Sequence, residues 1–260
     1  MRGETAAILA ETAERMEALP GHTGLYYRDL MGEGAFALRA EEPFLAASVI
    51  KLPLYLYILR EAAAGRTDLT ETLTVRQGDK VPVCGALTLF TGEPEVDLQT
   101  LCRLMISLSD NTATNLLIRR FGIEAVNGGF REMGLRTTAL RRLLFDGAAA
   151  ARGLENTVSP AEMGALLERL WRGTFVSPAV SAEALELLKL QQIDHKLGGM
   201  ICGAAPIAHK TGEDDGLTSD VGIVFTPAPF LLCMTGHHTD VPAFETLIRE
   251  TAWRLFREHQ

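Results

Sequence analysis

The stretch AASVIKLPLY, Ala46–Tyr55, carries the reading of the whole chain. Apolar residues fill it and Pro53 stands in its first turns, as at the opening of a buried helix. Two polar residues interrupt it, Ser48 and, three positions on, Lys51. Three apart on a helix is one face, so a helix beginning near Ser48 sets the lysine against the hydroxyl. Apolar surroundings disfavour the charged form of a lysine, and a neutral amine beside a serine is a base beside a nucleophile.

Outward from this stretch, the first 21 residues read as an amphipathic helix, with Glu4, Glu11 and Glu14 breaking any leader-like apolar run. HTGLYYRDL and AFALRA flank MGEG and predict a hairpin. The Ser48 helix runs to about Ala64 and stops at Gly65. A mixed region, ETLTVRQGDKVPVCGALTLFTGEPEVD, leads into three helical stretches, LQTLCRLMISL, NTATNLLIRRFG and IEAVNGGFREMG. Arg141 to Ser159 lacks periodicity and reads as a long loop, after which Ser159 and Glu162 form a capping box for PAEMGALLERLWRG. The helix SAEALELLKLQ follows. PIAHKTG, DVGIVFT and FLLCMTG are then short strands, and VPAFETLIRETAWRLFREH is a closing helix. Strands at both ends and helices between them predict an α/β (α+β) fold. Residues 1–45 and 204–260 form one mainly antiparallel sheet flanked by terminal helices, residues 46–203 an inserted helical lobe, and a cleft separates the two.

Composition excludes several functions. The net charge of -8, with no basic run carrying interleaved aromatics, argues against nucleic acid. No stretch approaches the ~18 apolar residues of a membrane span, and with no leader the chain is expected in the cytoplasm. Cys84, Cys102, Cys202 and Cys233 show no metal-binding spacing, and Cys102 and Cys233 are expected as buried thiols. His237 and His238, adjacent on a strand, face opposite ways, so neither a metal nor a cofactor is expected.

Two further polar clusters stand out. Ser109, Asp110 and Asn111 fall at a junction of helices; Lys210, Thr211 and Gly212 fall on a strand, where glycine permits close approach. Ser48-x-x-Lys51, Ser109-Asp110-Asn111 and Lys210-Thr211-Gly212, each occurring once and in this order, resemble the motifs of the class A β-lactamase and penicillin-binding serine acyltransferase superfamily. The resemblance covers essentially the whole chain. It implies Ser48 as nucleophile, Lys51 as its base, Ser109 as a proton relay to the leaving amine and Lys210 as the group that keeps that path electropositive. It further implies Asn111 as a partner of Lys51 and the substrate amide, Lys210 and Thr211 as the anchor of a substrate carboxylate, and an oxyanion hole from the backbone N–H groups of Ser48 and Glu213. No G-x-S-x-G elbow supports Ser-His-Asp chemistry; His209 and Asp220 read as structural.

The resemblance breaks at one place. Class A β-lactamases activate the deacylating water with a glutamate in the loop before the Pro160 helix, and an asparagine follows four residues later. Counting back from Pro160 puts Leu143 and Gly147 at those positions, while Arg141 fits the loop's arginine and Asn156 replaces its aspartate partner. Asp146 and Glu155 are the nearby carboxylates. Without an activated water, a β-lactam acylates Ser48 and leaves slowly. The acids Glu213, Asp214 and Asp215 after the strand motif favour a neutral or cationic small-molecule substrate, a β-lactam or an acyl amide or ester. The expectation is a β-lactamase-like serine hydrolase with slow deacylation; the alternative is a non-hydrolytic protein that captures a ligand in the same cleft.

Overall fold

The computed structural model describes residues 3–260. The chain runs α1 (Gly3–Glu17), β1 (His22–Asp29), β2 (Ala35–Leu38), β3 (Phe44–Leu45), α2 (Lys51–Ala63), β4 (Thr72–Thr74), β5 (Glu95–Asp97), α3 (Leu98–Ser107) and α4 (Asn111–Phe121). It continues through α5 (Ile123–Glu132), α6 (Gly147–Ala150), β6 (Thr157–Val158), α7 (Pro160–Trp171), α8 (Pro178–Leu188), β7 (Ile207–Asp214), β8 (Leu217–Val224), β9 (Phe230–His237) and α9 (Val241–Glu258).

One antiparallel sheet, in the order β2-β1-β9-β8-β7, joins the two ends of the chain. Its central seam pairs β1 with β9 from His22↔His237 to Asp29↔Phe230. Successive strand residues point to opposite faces. Leu25, Tyr27, Leu232 and Met234 therefore pack with Ile8, Leu9, Phe244 and Leu255 of α1 and α9, while Val221, Ile223, Leu231 and Cys233 join the core of the helical layer. Two apolar faces need two covers, which is why the sheet lies between the terminal helices and the helical layer. The β1–β2 turn is held by Asp29 Oδ1, which accepts from Met31 N and Gly32 N at 3.0 Å each.

Local differences from the sequence reading have identifiable causes. Ser48 lies in a 3-10 turn, Ala47–Ile50, and the α-helix begins only at Lys51. The segment 141–159 is not structureless: it contains α6 and β6, and β6 pairs with β3 through Phe44↔Val158. Helix α8 starts at Pro178, capped by Ser177, ahead of the expected Ser181. Only half of the Ser159/Glu162 capping box forms. Ser159 accepts from Glu162 N at 3.3 Å, but the Glu162 carboxylate turns outward to Arg136 N (2.5 Å), Thr137 N (2.8 Å) and Thr138 N (2.7 Å). Three free N–H groups of a neighbouring turn outcompete one at the helix's own cap.

That choice gives a prediction. Glu162→Ala strips a charged acceptor from three N–H groups and should cost about 2–4 kcal/mol in urea unfolding. An Ala variant of the exposed Glu124 should change stability by less than ~0.5 kcal/mol.

Candidate active site

The turn that carries Ser48 is tied on both sides. Ala46 N donates to Asn156 O and Val49 N to Ala46 O, each at 2.9 Å. Ala47 takes φ +39, and the turn delivers Ser48 to the cleft floor, partly exposed, while Lys51 points inward with no exposure. Strand β7 runs against this turn. A Cβ on Gly212 would lie 3.0 Å from Val49 Cγ2 and 3.1 Å from Ala46 O, so glycine is what lets the strand approach.

Lys51 Nζ has four polar neighbours: Ser48 Oγ (2.8 Å), Ser109 O (2.7 Å), Ser109 Oγ (3.0 Å) and Asn111 Oδ1 (2.7 Å). Asn111 Nδ2 donates to Val83 O at 2.8 Å, which orients the amide so that Oδ1 faces the lysine. The Ser109 carbonyl and Asn111 Oδ1 can only accept. A neutral amine has two N–H bonds for them and one lone pair, which the Ser48 hydroxyl at 2.8 Å can meet. Burial first, and the nearby Lys210 charge second, hold Lys51 well below the ordinary lysine range. The contacts accommodate a neutral amine, and burial shifts Lys51 toward that form.

The other groups are set by tertiary contacts. Ser109, between α3 and α4, sits at φ +53, a conformation costly for a residue with a side chain. Buried Asp110 beside it accepts from Ala113 N at the start of α4 and from Leu87 N of the 81–90 loop, both at 2.9 Å. Lys210, on β7 and without exposure, donates to Ser109 Oγ (3.1 Å) and Thr211 O (2.9 Å). Burial and the Lys196 charge pull it down to about 7, against the opposing pull of Asp220. Ser109 Oγ thus bridges Lys51 and Lys210. The structure brings Ser48, Lys51, Ser109, Asn111 and Lys210 into one hydrogen-bonded cluster, with Thr211 and Glu213 on the wall of the same cleft and Gly212 between them.

The cleft has a volume of about 570 Å³, within the range of small-molecule sites. Its walls include Val83, Cys84, Leu144, Phe145 and Ile193, and Val83 and Phe145 are exposed at positive φ. Counting from Pro160 points to Leu143; the structure instead lines the cleft with Leu144. Asn115, one turn after Asn111 on α4, accepts from Leu144 N (2.8 Å) and donates to Leu144 O (3.0 Å), which fixes the loop's register one residue later. Leu143 is partly buried against the helical core, of which Leu144 is itself a buried member at the cleft edge. Asp146 is spent capping α6, where it accepts from Ala149 N at 2.9 Å. Glu155 reaches the cleft wall but is held by Arg142, at 2.7 and 3.0 Å.

Asn156 does not receive the Arg141 guanidinium; its Oδ1 accepts the backbone N–H groups of Arg141 (2.7 Å) and Arg142 (3.1 Å). Asp220 lies inside β8 instead of at its start, bonded to His209 Nδ1 at 2.9 Å behind the cleft. All four cysteines are free, with Cys102 and Cys233 buried. Sequence reasoning missed Lys196, buried and donating to Glu213 Oε1 at 2.7 Å; a lone lysine in DHKLGGM carries no local signal of burial. It also missed Asn115, which the i, i+4 spacing from Asn111 does mark.

Comparison with known proteins agrees with this geometry. The model of the beta-lactamase enzyme family matches residues 7–258. A beta-lactamase of Rhodobacter capsulatus is 34% identical over 184 residues, 70% of this chain, and the match spans 62% of that protein. The structure of a beta-lactamase from Sphaerobacter thermophilus superposes with a TM-score of 0.89 at 30% identity, covering 97% of each chain. PBP-A superposes at 0.86 and 27% identity, covering 97% of this chain and 95% of its own. A PBP-A leucine-to-glutamate mutant, solved as an acyl-enzyme complex with penicillin G, superposes at 0.86 and 26%, covering 97% and 96%.

The Asn115 clamp is testable. Asn115→Ala leaves the buried Leu144 N–H and C=O without partners, and should cost about 1–3 kcal/mol. The Leu144 amide should exchange with deuterium faster in the variant, while amides of β8 keep their protection.

Proposed function

The chain belongs to the beta-lactamase enzyme family, and on that premise we propose that it is a serine acyltransferase-type hydrolase that forms an ester on Ser48 quickly and releases it slowly. The observation that carries this reading is the contact set of Lys51, whose lone pair is left for the Ser48 hydroxyl. Ser48 Oγ attacks the amide carbonyl as Lys51 Nζ takes its proton. The backbone N–H groups of Ser48 and Glu213 hold the developing oxyanion. The C–N bond then breaks, and the proton passes from Lys51 through Ser109 Oγ to the departing nitrogen. Lys210 supports that transfer and, with Thr211, anchors a carboxylate of the substrate.

Hydrolysis of the ester needs an activated water, and the wall facing it carries Leu144. Asp146 caps α6 and Glu155, on the cleft wall, is paired with Arg142 through Oε2, and in this reading Lys51 serves both steps. General-base assistance is worth ~10²–10⁴-fold, and deacylation lags by a comparable factor. The substrate side chain meets Val83, Leu144, Phe145 and Ile193 on one side and the acids Glu213, Asp214 and Asp215 on the other. A β-lactam or acyl amide with a neutral or cationic side chain suits that lining. The same apolar wall favours a second reading, in which the protein captures a ligand covalently and holds it.

A fluorescent penicillin followed by an unlabelled chase tests both readings. The label should attach to the wild type and not to Ser48→Ala, and it should fade over many acylation half-times. A label that never fades supports covalent capture; release as fast as acylation contradicts slow deacylation. Leu144→Glu should speed release by ~10²-fold or more, and Leu143→Glu should not.

A further inference from the structure

Three side chains outside the Lys51 cluster meet: His195 from the loop after α8, Glu213 from β7, which also lines the cleft, and Glu245 from α9. The geometry points to a divalent-cation site formed by these three residues and suited to Zn²⁺. One ligand atom from each lies within 4.8 Å of the others. His195 Nε2 stands 3.5 Å from Glu213 Oε1 and 3.5 Å from Glu245 Oε1. Zinc bonds of ~2.0–2.2 Å in tetrahedral geometry separate ligand atoms by roughly 3.4 Å. Two of the three edges therefore already have the required length. The third closes by small rotations of carboxylates that are exposed (Glu213) or half-buried (Glu245).

Both acids are oriented by neighbours, as metal ligands generally are. Thr218 Oγ1 donates to Glu245 Oε1 at 3.0 Å, and Arg249 lies 3.7 Å from Glu245 Oε2. Lys196 donates to Glu213 Oε1 at 2.7 Å, and a carboxylate retains free lone pairs beside such a bond. The two basic groups offset much of the acids' charge, which selects against cations bound by charge alone. Mg²⁺ and Ca²⁺ are hard ions that take oxygen ligands. Zn²⁺ gains a coordinate bond from the imidazole that those ions do not seek. No sequence motif announces the site, because its ligands come from three distant segments.

An ion here ties the end of β7 to α9 and draws on the carboxylate that partners buried Lys196. It thereby acts on the strand that carries Lys210, Thr211 and Gly212; that consequence rests on the proposed function, whereas the binding itself does not. Chelator-treated, dialysed protein titrated with ZnCl₂ in a calorimeter should bind one Zn²⁺ per chain, and MgCl₂ should give no heat. His195→Ala and Glu245→Gln should each weaken binding at least ~10-fold, with zinc-free melting temperatures near that of the wild type. The C84S/C202S variant, which lacks the exposed thiols, should bind like the wild type. Absence of zinc binding, binding unchanged in His195→Ala, or binding lost in C84S/C202S would each overturn the assignment.

Discussion

A lysine amine shut away from water, with two oxygens that can only accept from it and a serine hydroxyl beside it, is the constraint on which the site depends. Lys51 comes from α2, its acceptors from the junction of α3 and α4, and the second lysine of the cluster from β7. Each element has to arrive in register for the amine to be satisfied. An unpaired ammonium at that depth costs several kcal/mol, so the folded state keeps Lys51 paired, and burial favours its neutral form. Asp110 bracing the 81–90 loop, Gly212 admitting β7 and Ser109 held at positive φ all follow from that requirement.

Much of this was legible in the residues. The order Ser48-x-x-Lys51, Ser109-Asp110-Asn111 and Lys210-Thr211-Gly212 pointed to one cleft, and the alternation in FLLCMTG and DVGIVFT to the sheet. What escaped depends on contacts between distant segments. Glu162 has sequence-adjacent reasons to close a capping box and spends its charge on residues 136–138 instead. The loop register turns on Asn115, so counting residues from Pro160 lands on Leu143 where the cleft receives Leu144. Burial of Lys196, and the meeting of His195 with Glu213 and Glu245, have no local signature.

In the proposed mechanism, the wall at Leu144 separates the two halves of the chemistry. Acylation uses groups that the cluster already holds, whereas deacylation needs one carboxylate with an unengaged lone pair facing a water. The acids of the loop are committed to a helix cap and to an ion pair. In the proposed mechanism, the side chain at this wall of the scaffold sets whether a bound acyl group is turned over or retained. That scaffold is shared with proteins called beta-lactamases and with PBP-A.

Whether Lys51 is neutral in the working protein is measured directly by ¹³C NMR of protein labelled at the lysine ε-carbons. The Lys51 signal is identified by its loss in Lys51→Met. It should titrate well below the ordinary lysine value of 10.5, and Lys210→Met, which removes the neighbouring positive charge, should move the midpoint upward. A Lys51 midpoint at the ordinary value in the folded protein would contradict a neutral Lys51.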